Sequence, residues 1–316
     1  MPSPASEGYV SVAVLKTLSL TFSVAGLLYN AQDYLLFHPD DNQSRVFVHT
    51  PSIVDLPFEH VFIRSLDGTL INLYFIGQAD GRSASVPTVV FFHGNAGNMG
   101  HRLHNAAGLY CHLDCNVLMV EYRGYGLSKG HPTEAGVCMD AQAAIDYLGG
   151  RHDVDHKRIV VFGRSLGGAV AIDLAARPEY SAKIWGLILG NTFTSIPDIA
   201  TALFKWPFLT VLPIFCYKNK FMSKLKIGSV MVPTLFISGL SDSLVPPLMM
   251  AELHRRSGSA HKRLATLSAG GHNDTWTCPG YYPTIADFLS EITEYLPATP
   301  PVSSSPSVLR SVVTAV

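Results

Sequence analysis

Six short apolar runs recur through the middle of the chain, and they constrain the fold more than any other feature. They occupy residues 86–92, 115–122, 158–163, 184–190, 234–239 and 263–267. Each is of strand length, and helix-length segments separate most of them. Runs that are apolar throughout, rather than alternating, belong to strands buried on both faces, as in a parallel sheet covered by helices. Ahead of them, residues 61–64, the turn Asp67-Gly68 and residues 69–75 read as a hairpin with a tight turn. The expected architecture is an antiparallel lead-in hairpin feeding a mostly parallel sheet with helices on both faces.

Composition narrows the function classes. The chain has 316 residues, of which 47% are hydrophobic and 15% charged, which excludes disorder for its bulk. Lys+Arg 23 against Asp+Glu 24 leaves a net charge of −1. No Lys/Arg-rich block supplies the clustered basic surface of a nucleic-acid binder, so no nucleic-acid partner is expected. The cysteines Cys111, Cys115, Cys138, Cys216 and Cys278 are odd in number, scattered and without a CxxC pair. Neither a disulfide framework nor a zinc site fits them. Cys111 and Cys115, four residues apart, read as buried small apolar side chains. His101, His104 and His112 lack carboxylates at a matching spacing and read as helix-surface residues, so no metal is expected.

The two ends differ from the middle. Residues 9–29 are 21 residues with the single charge Lys16, and a membrane-spanning helix needs about 20 mostly apolar residues. They read as a signal-anchor helix behind a short tail, residues 1–8. A cleaved signal peptide, with Ser23-Val24-Ala25 as the small-x-small site, and a soluble amphipathic helix are the rival readings. Lys16 toward the N-terminal side favours a cytoplasmic N-terminus and a luminal or extracellular catalytic bulk. The sequons at Asn42 and Asn273 are possible glycosylation sites that agree with this. Residues 30–296 form the folded domain, and residues 297–316 read as a disordered tail rich in Pro and Ser.

Reactive residue types sit where such a sheet collects function, at the carboxyl ends of its strands. Gly163-Arg164-Ser165-Leu166-Gly167 is a G-x-S-x-G between an apolar run and a small-residue helix. Its glycines answer a turn so tight that a β-carbon at either position would collide with a neighbour. The Ser165 hydroxyl then needs a base and an orienting acid, in the chain order Ser, Asp/Glu, His. Asp242 follows the run 234–239, and His272 stands on a Gly-Gly loop after the run 263–267. Asp274 is the alternative acid, although it shares the histidine loop. An oxyanion hole would use the backbone N–H of Leu166 and one from His93-Gly94-Asn95-Ala96-Gly97-Asn98, with Asn95 favoured over Ala96. Arg164 reads as a brace bonding loop carbonyls, without a catalytic role.

Five motifs together resemble the serine α/β-hydrolase superfamily. They are His93-Gly-Asn-Ala-Gly-Asn98, Tyr122-Arg-Gly-Tyr-Gly126, Gly163-Arg-Ser-Leu-Gly-Gly168, Ser238-Gly-Leu-Ser-Asp242 and Gly271-His-Asn-Asp-Thr-Trp276. The resemblance runs from the hydrophobic N-terminus to about residue 296. It implies an α/β-hydrolase fold with a small helical lid, a type II membrane topology and a catalytic triad of Ser165, Asp242 and His272, with no cofactor. A related branch of protein depalmitoylases begins with a cysteine-rich acylated segment, and this chain has no cysteine before Cys111. The expected activity is cleavage of an ester or thioester. The lid, about residues 192–231, carries an apolar cluster around Phe204, Trp206, Leu212 and Phe215, which points to a lipid or long-acyl substrate beside a small-molecule one. The rival class is a catalytically silent membrane-anchored scaffold on the same fold.

Overall fold

Asp67 and Gly68 turn the chain between strand β1 (Glu59–Arg64) and strand β2 (Leu70–Ile76), with Gly68 at φ 85°. In this computed structural model, residues 23, 26–27, 29–39, 43–79 and 81–295 are described. The segments 1–8 and 297–316 and the sequon residue Asn42 lie outside them. Of residues 9–29, only Ser23, Gly26, Leu27 and Tyr29 are described, all helical and exposed. Among the described residues no helix is long and apolar enough to cross a membrane.

The hairpin feeds an eight-stranded sheet in the order β1-β2-β4-β3-β5-β6-β7-β8. Its further strands are β3 (Thr88–Phe92), β4 (Asn116–Glu121), β5 (Ile159–Arg164), β6 (Gly186–Gly190), β7 (Thr234–Gly239) and β8 (Lys262–Leu267). β2 pairs antiparallel with both β1 and β4, and every other pairing is parallel. Strand bounds differ from the sequence expectations by two residues or fewer.

Strands β3 to β6 are buried at every position, because each face has a helical layer. Val90, Phe92 and Val161 pack with helices α2 (Glu134–Gly149), α3 (Leu166–Ala175) and α5 (Pro247–Arg256). Val89, Phe91 and Phe162, one residue out of step, pack with α1 (Leu103–Leu113) and α6 (Tyr281–Tyr295). The period of two along a strand thus divides the core into two halves. Helix α4 (Ile196–Phe204), within residues 192–231, follows β6. One expectation fails on α1: Cys115 is fully buried, whereas Cys111 is exposed. Cys115 lies past the helix and directly before β4, while Cys111 sits on a helix turn facing solvent.

After β3 the chain crosses to β4 on one side and then to β5 on the other. Such a reversal of direction opens a crevice at the carboxyl ends of the two central strands. The loop 93–98 leaves β3 at that point, and Ser165 follows β5.

Candidate active site

β5 ends at Arg164 and α3 begins at Leu166, so Ser165 alone makes the turn, with φ 54° and ψ −119°. A non-glycine residue held in such a conformation costs about 1–3 kcal/mol and persists only where its surroundings over-determine it. Here they do. The Ser165 N–H donates to the Gly190 carbonyl at 2.9 Å, and its carbonyl accepts from Thr192 Oγ1 at 2.7 Å. A β-carbon on Gly163 would overlap the Gly167 carbonyl, and one on Gly167 the Phe92 carbonyl. The glycine pattern is therefore a packing requirement.

The turn brings Ser165 Oγ to 3.0 Å from His272 Nε2, and His272 Nδ1 lies 2.7 Å from Asp242 Oδ2. The Asp242 carboxylate is oriented by its other oxygen, Oδ1, which accepts the N–H groups of Leu244 and Val245, both at 2.8 Å. The side chains of Asp242 and His272 are 1% and 10% exposed, which keeps water from competing for these contacts. Asp274 does not share them. Its Oδ1 accepts the Gly271 N–H at 2.7 Å and so caps the histidine loop.

Two residues hold that loop. Arg164, whose guanidinium is pushed down to a pKa of about 10 by burial and by nearby Arg102, donates to the His272 carbonyl at 2.8 Å and to Asn273 Oδ1 at 2.9 Å. That is the brace the sequence suggested. Asn191, at φ 44° just past β6, belongs to none of the sequence motifs. Its Nδ2 donates to Thr275 Oγ1 at 2.8 Å and to the Gly271 carbonyl at 3.0 Å, while its Oδ1 accepts the Gly239 N–H at 2.8 Å. Asn191 thereby ties the strand end before Asp242 to the loop bearing His272. Its only sequence signal was an asparagine immediately after a buried strand.

The opposite wall is the loop after β3. Leu166 opens α3, where the first N–H groups have no intrahelical acceptor, and the Asn95 N–H has no acceptor among the described residues. A β-carbon on Gly94 would stand 3.5 Å from Ser165 Cβ, so this loop runs close against the serine. Its support comes from Tyr122-Arg-Gly-Tyr-Gly126. Tyr125 Oη donates to Asn95 Oδ1 at 2.8 Å and Tyr122 Oη to the His93 carbonyl at 3.1 Å. His93 Nε2 lies 3.0 Å from Glu121 Oε1, both fully buried, though off the line of a good hydrogen bond. From the N-terminal side, Asn95 Nδ2 donates to the Leu36 carbonyl at 2.5 Å, and the His38 N–H donates to Asn95 Oδ1 at 3.3 Å. Of the discounted histidines, His101 accepts the Asn98 N–H at 3.4 Å and His112 stacks on Tyr282 at 4.7 Å.

Residues 84–231 match the family described as serine aminopeptidase, S33. Protein bem46 of Schizosaccharomyces pombe is 39% identical over 88% of this chain and 92% of its own length. The alpha/beta hydrolase domain-containing protein WAV2 of Arabidopsis thaliana is 37% identical, over 90% of this chain and 95% of its own. The chain belongs to the α/β-hydrolase superfamily. The fold agrees: the Pyrococcus furiosus esterase Pf2001 superposes with a TM-score of 0.64 at 21% identity, over 81% of this chain and 97% of that one. As an α/β-hydrolase, the chain has hydrolysis as its general chemistry, and the site described above lies at the carboxyl ends of the strands, where that chemistry belongs.

Proposed function

We propose that this α/β-hydrolase is a membrane-anchored serine hydrolase that cleaves an ester or thioester through a covalent acyl-enzyme. The observation that carries the reading is the relay of Ser165 Oγ, His272 and Asp242 through contacts of 3.0 and 2.7 Å. With Asp242 accepting the Nδ1 proton of His272, the lone pair at Nε2 is free to take the serine proton. Ser165 Oγ attacks the substrate carbonyl as that proton moves. The charge developing on the carbonyl oxygen is met by the N–H groups of Leu166 and Asn95, two fixed dipoles that need no reorganisation. His272 then returns the proton to the leaving alcohol or thiol. Water, deprotonated by the same imidazole, releases the acyl group from Ser165.

The membrane part of the reading rests on the apolar length of residues 9–29, and Lys16 favours a type II topology with a luminal domain. The lid supports a lipid or long-acyl substrate. Phe204 and Trp206 stack at 5.2 Å yet remain 55% and 53% exposed, and Phe215 is 72% exposed. An exposed apolar patch of this kind marks a surface that meets apolar matter. A fluorophosphonate probe tests the reading, since it forms a covalent bond only with an activated serine. Labelling of the wild type that disappears in Ser165→Ala supports it; a folded wild type that takes no label refutes it.

A further inference from the structure

A cavity of about 810 Å³ opens between the helix of residues 29–36 and the loop that follows β3. Ligand pockets occupy about 300–1,000 Å³, so the space suits a substrate of lipid-headgroup or drug size. Ala96 forms part of its wall and directly follows Asn95. Gly94, two residues earlier, abuts Ser165. With two Cα steps of 3.8 Å from Gly94, Ala96 lies within about 13 Å of Ser165.

The lining mixes the apolar Tyr34, Phe37 and Pro132 with the cationic Arg45 and Lys218. Asp33 is the one carboxylate among the described lining residues. It is already engaged: Oδ2 accepts from Lys218 Nζ at 2.5 Å and Oδ1 from Asn219 Nδ2 at 2.6 Å. Lys218 is thereby matched, whereas Arg45 has no ion-pair partner among the described residues. An unmatched guanidinium lining a partly apolar cavity favours a ligand with a phosphate or carboxylate, which it can bind through two parallel N–H···O bonds.

We propose that this cavity is an anion subsite of the hydrolase, in which Arg45 holds a phosphate or carboxylate carried by the ester remote from its scissile carbonyl. The substrate class rests on the serine-hydrolase reading; the binding does not. The test separates the two by using the full chain carrying Ser165→Ala, titrated calorimetrically with butyl phosphate, pentanoate and butanol. Both anions bind, the alcohol binds at least about tenfold more weakly, and Arg45→Ala removes that difference while Arg45→Lys retains most of it. A melting temperature equal to the parent's shows that Arg45→Ala, at an exposed position, still folds. Tighter binding of butyl phosphate than of pentanoate assigns the charge to a phosphorylated ester, and the reverse order to a carboxylated one. Equal affinity for alcohol and anions, no binding of any of the three, or unchanged anion affinity in Arg45→Ala overturns the subsite. Failure of the hydrolase reading would show separately, as absence of fluorophosphonate label on wild-type Ser165.

Discussion

Ser165 and its two partners carry predictions that differ in size because their roles differ. Ser165→Ala removes the attacking atom while leaving the turn intact, and turnover of a soluble aryl ester should fall by about 10⁶, as nucleophile loss does in a comparable triad. Asp242→Asn keeps the shape but turns the His272 tautomer the wrong way, for an expected loss of about 10⁴ in kcat. Asp274→Asn, in contrast, weakens only a cap on the Gly271 N–H, so its kcat should stay within about tenfold of wild type. Rates of the two asparagine variants, compared side by side, decide which carboxylate serves the histidine. A crippled Asp274→Asn beside a mild Asp242→Asn would exchange their roles.

Elements are held in register around the site by one buried cation. Arg123, just past β4, binds Asp140 on α2 at 2.8 Å and Asp67 in the β1–β2 turn at 2.6 Å, and its side chain is 7% exposed. Asp140 is fully buried, and burial of a charge without its partner costs about 3–5 kcal/mol. Arg123→Ala should therefore lower the stability measured by urea unfolding by about that amount, and Asp67→Asn, whose side chain is 38% exposed, by much less. The sequence announced the strands through their unbroken apolar runs, since burial on both faces leaves no polar position to hide them. It announced the serine turn through glycines that packing demands. The partners of Arg123 stayed illegible, because they lie 17 and 56 positions away and nothing local encodes the pairing. The same holds for Asn95, which is fixed by a carbonyl 59 residues earlier. Truncation tests that link. Removal of residues 1–28 should spare hydrolysis of soluble esters, whereas removal of residues 1–39 takes away the Leu36 and His38 contacts and should lower kcat by about tenfold. Equal rates for the two truncations would show that Asn95 does not depend on the clamp.

On the scale of the whole molecule, the helix of residues 29–36 ties the N-terminal side to the segment after α4. Gln32 Nε2 donates to the Cys216 carbonyl at 2.7 Å, and Gln32 Oε1 accepts the Lys218 N–H at 2.9 Å. This helix thus lies against Cys216, the residue after the exposed Phe215. A spanning segment ahead of this helix would bring Phe215 toward the membrane interface, where exposed aromatic side chains are at home. Full-length protein should accordingly resist carbonate extraction, and the truncation lacking residues 1–28 should not. The side of the membrane is read by the sequons. Asn273 carries its amide oxygen on the Arg164 guanidinium at 2.9 Å and its carbonyl on Trp276 Nε1 at 3.0 Å, so a glycan on that side chain would disturb the brace behind His272. Asn42 lies in the polar stretch just after the hydrophobic segment and has no catalytic neighbour in sequence. With a luminal domain, endoglycosidase should shift the wild type and Asn273→Gln but not Asn42→Gln. A shift lost only in Asn273→Gln would keep the luminal placement and reverse the preference, and no shift in any variant would put the domain on the cytosolic side.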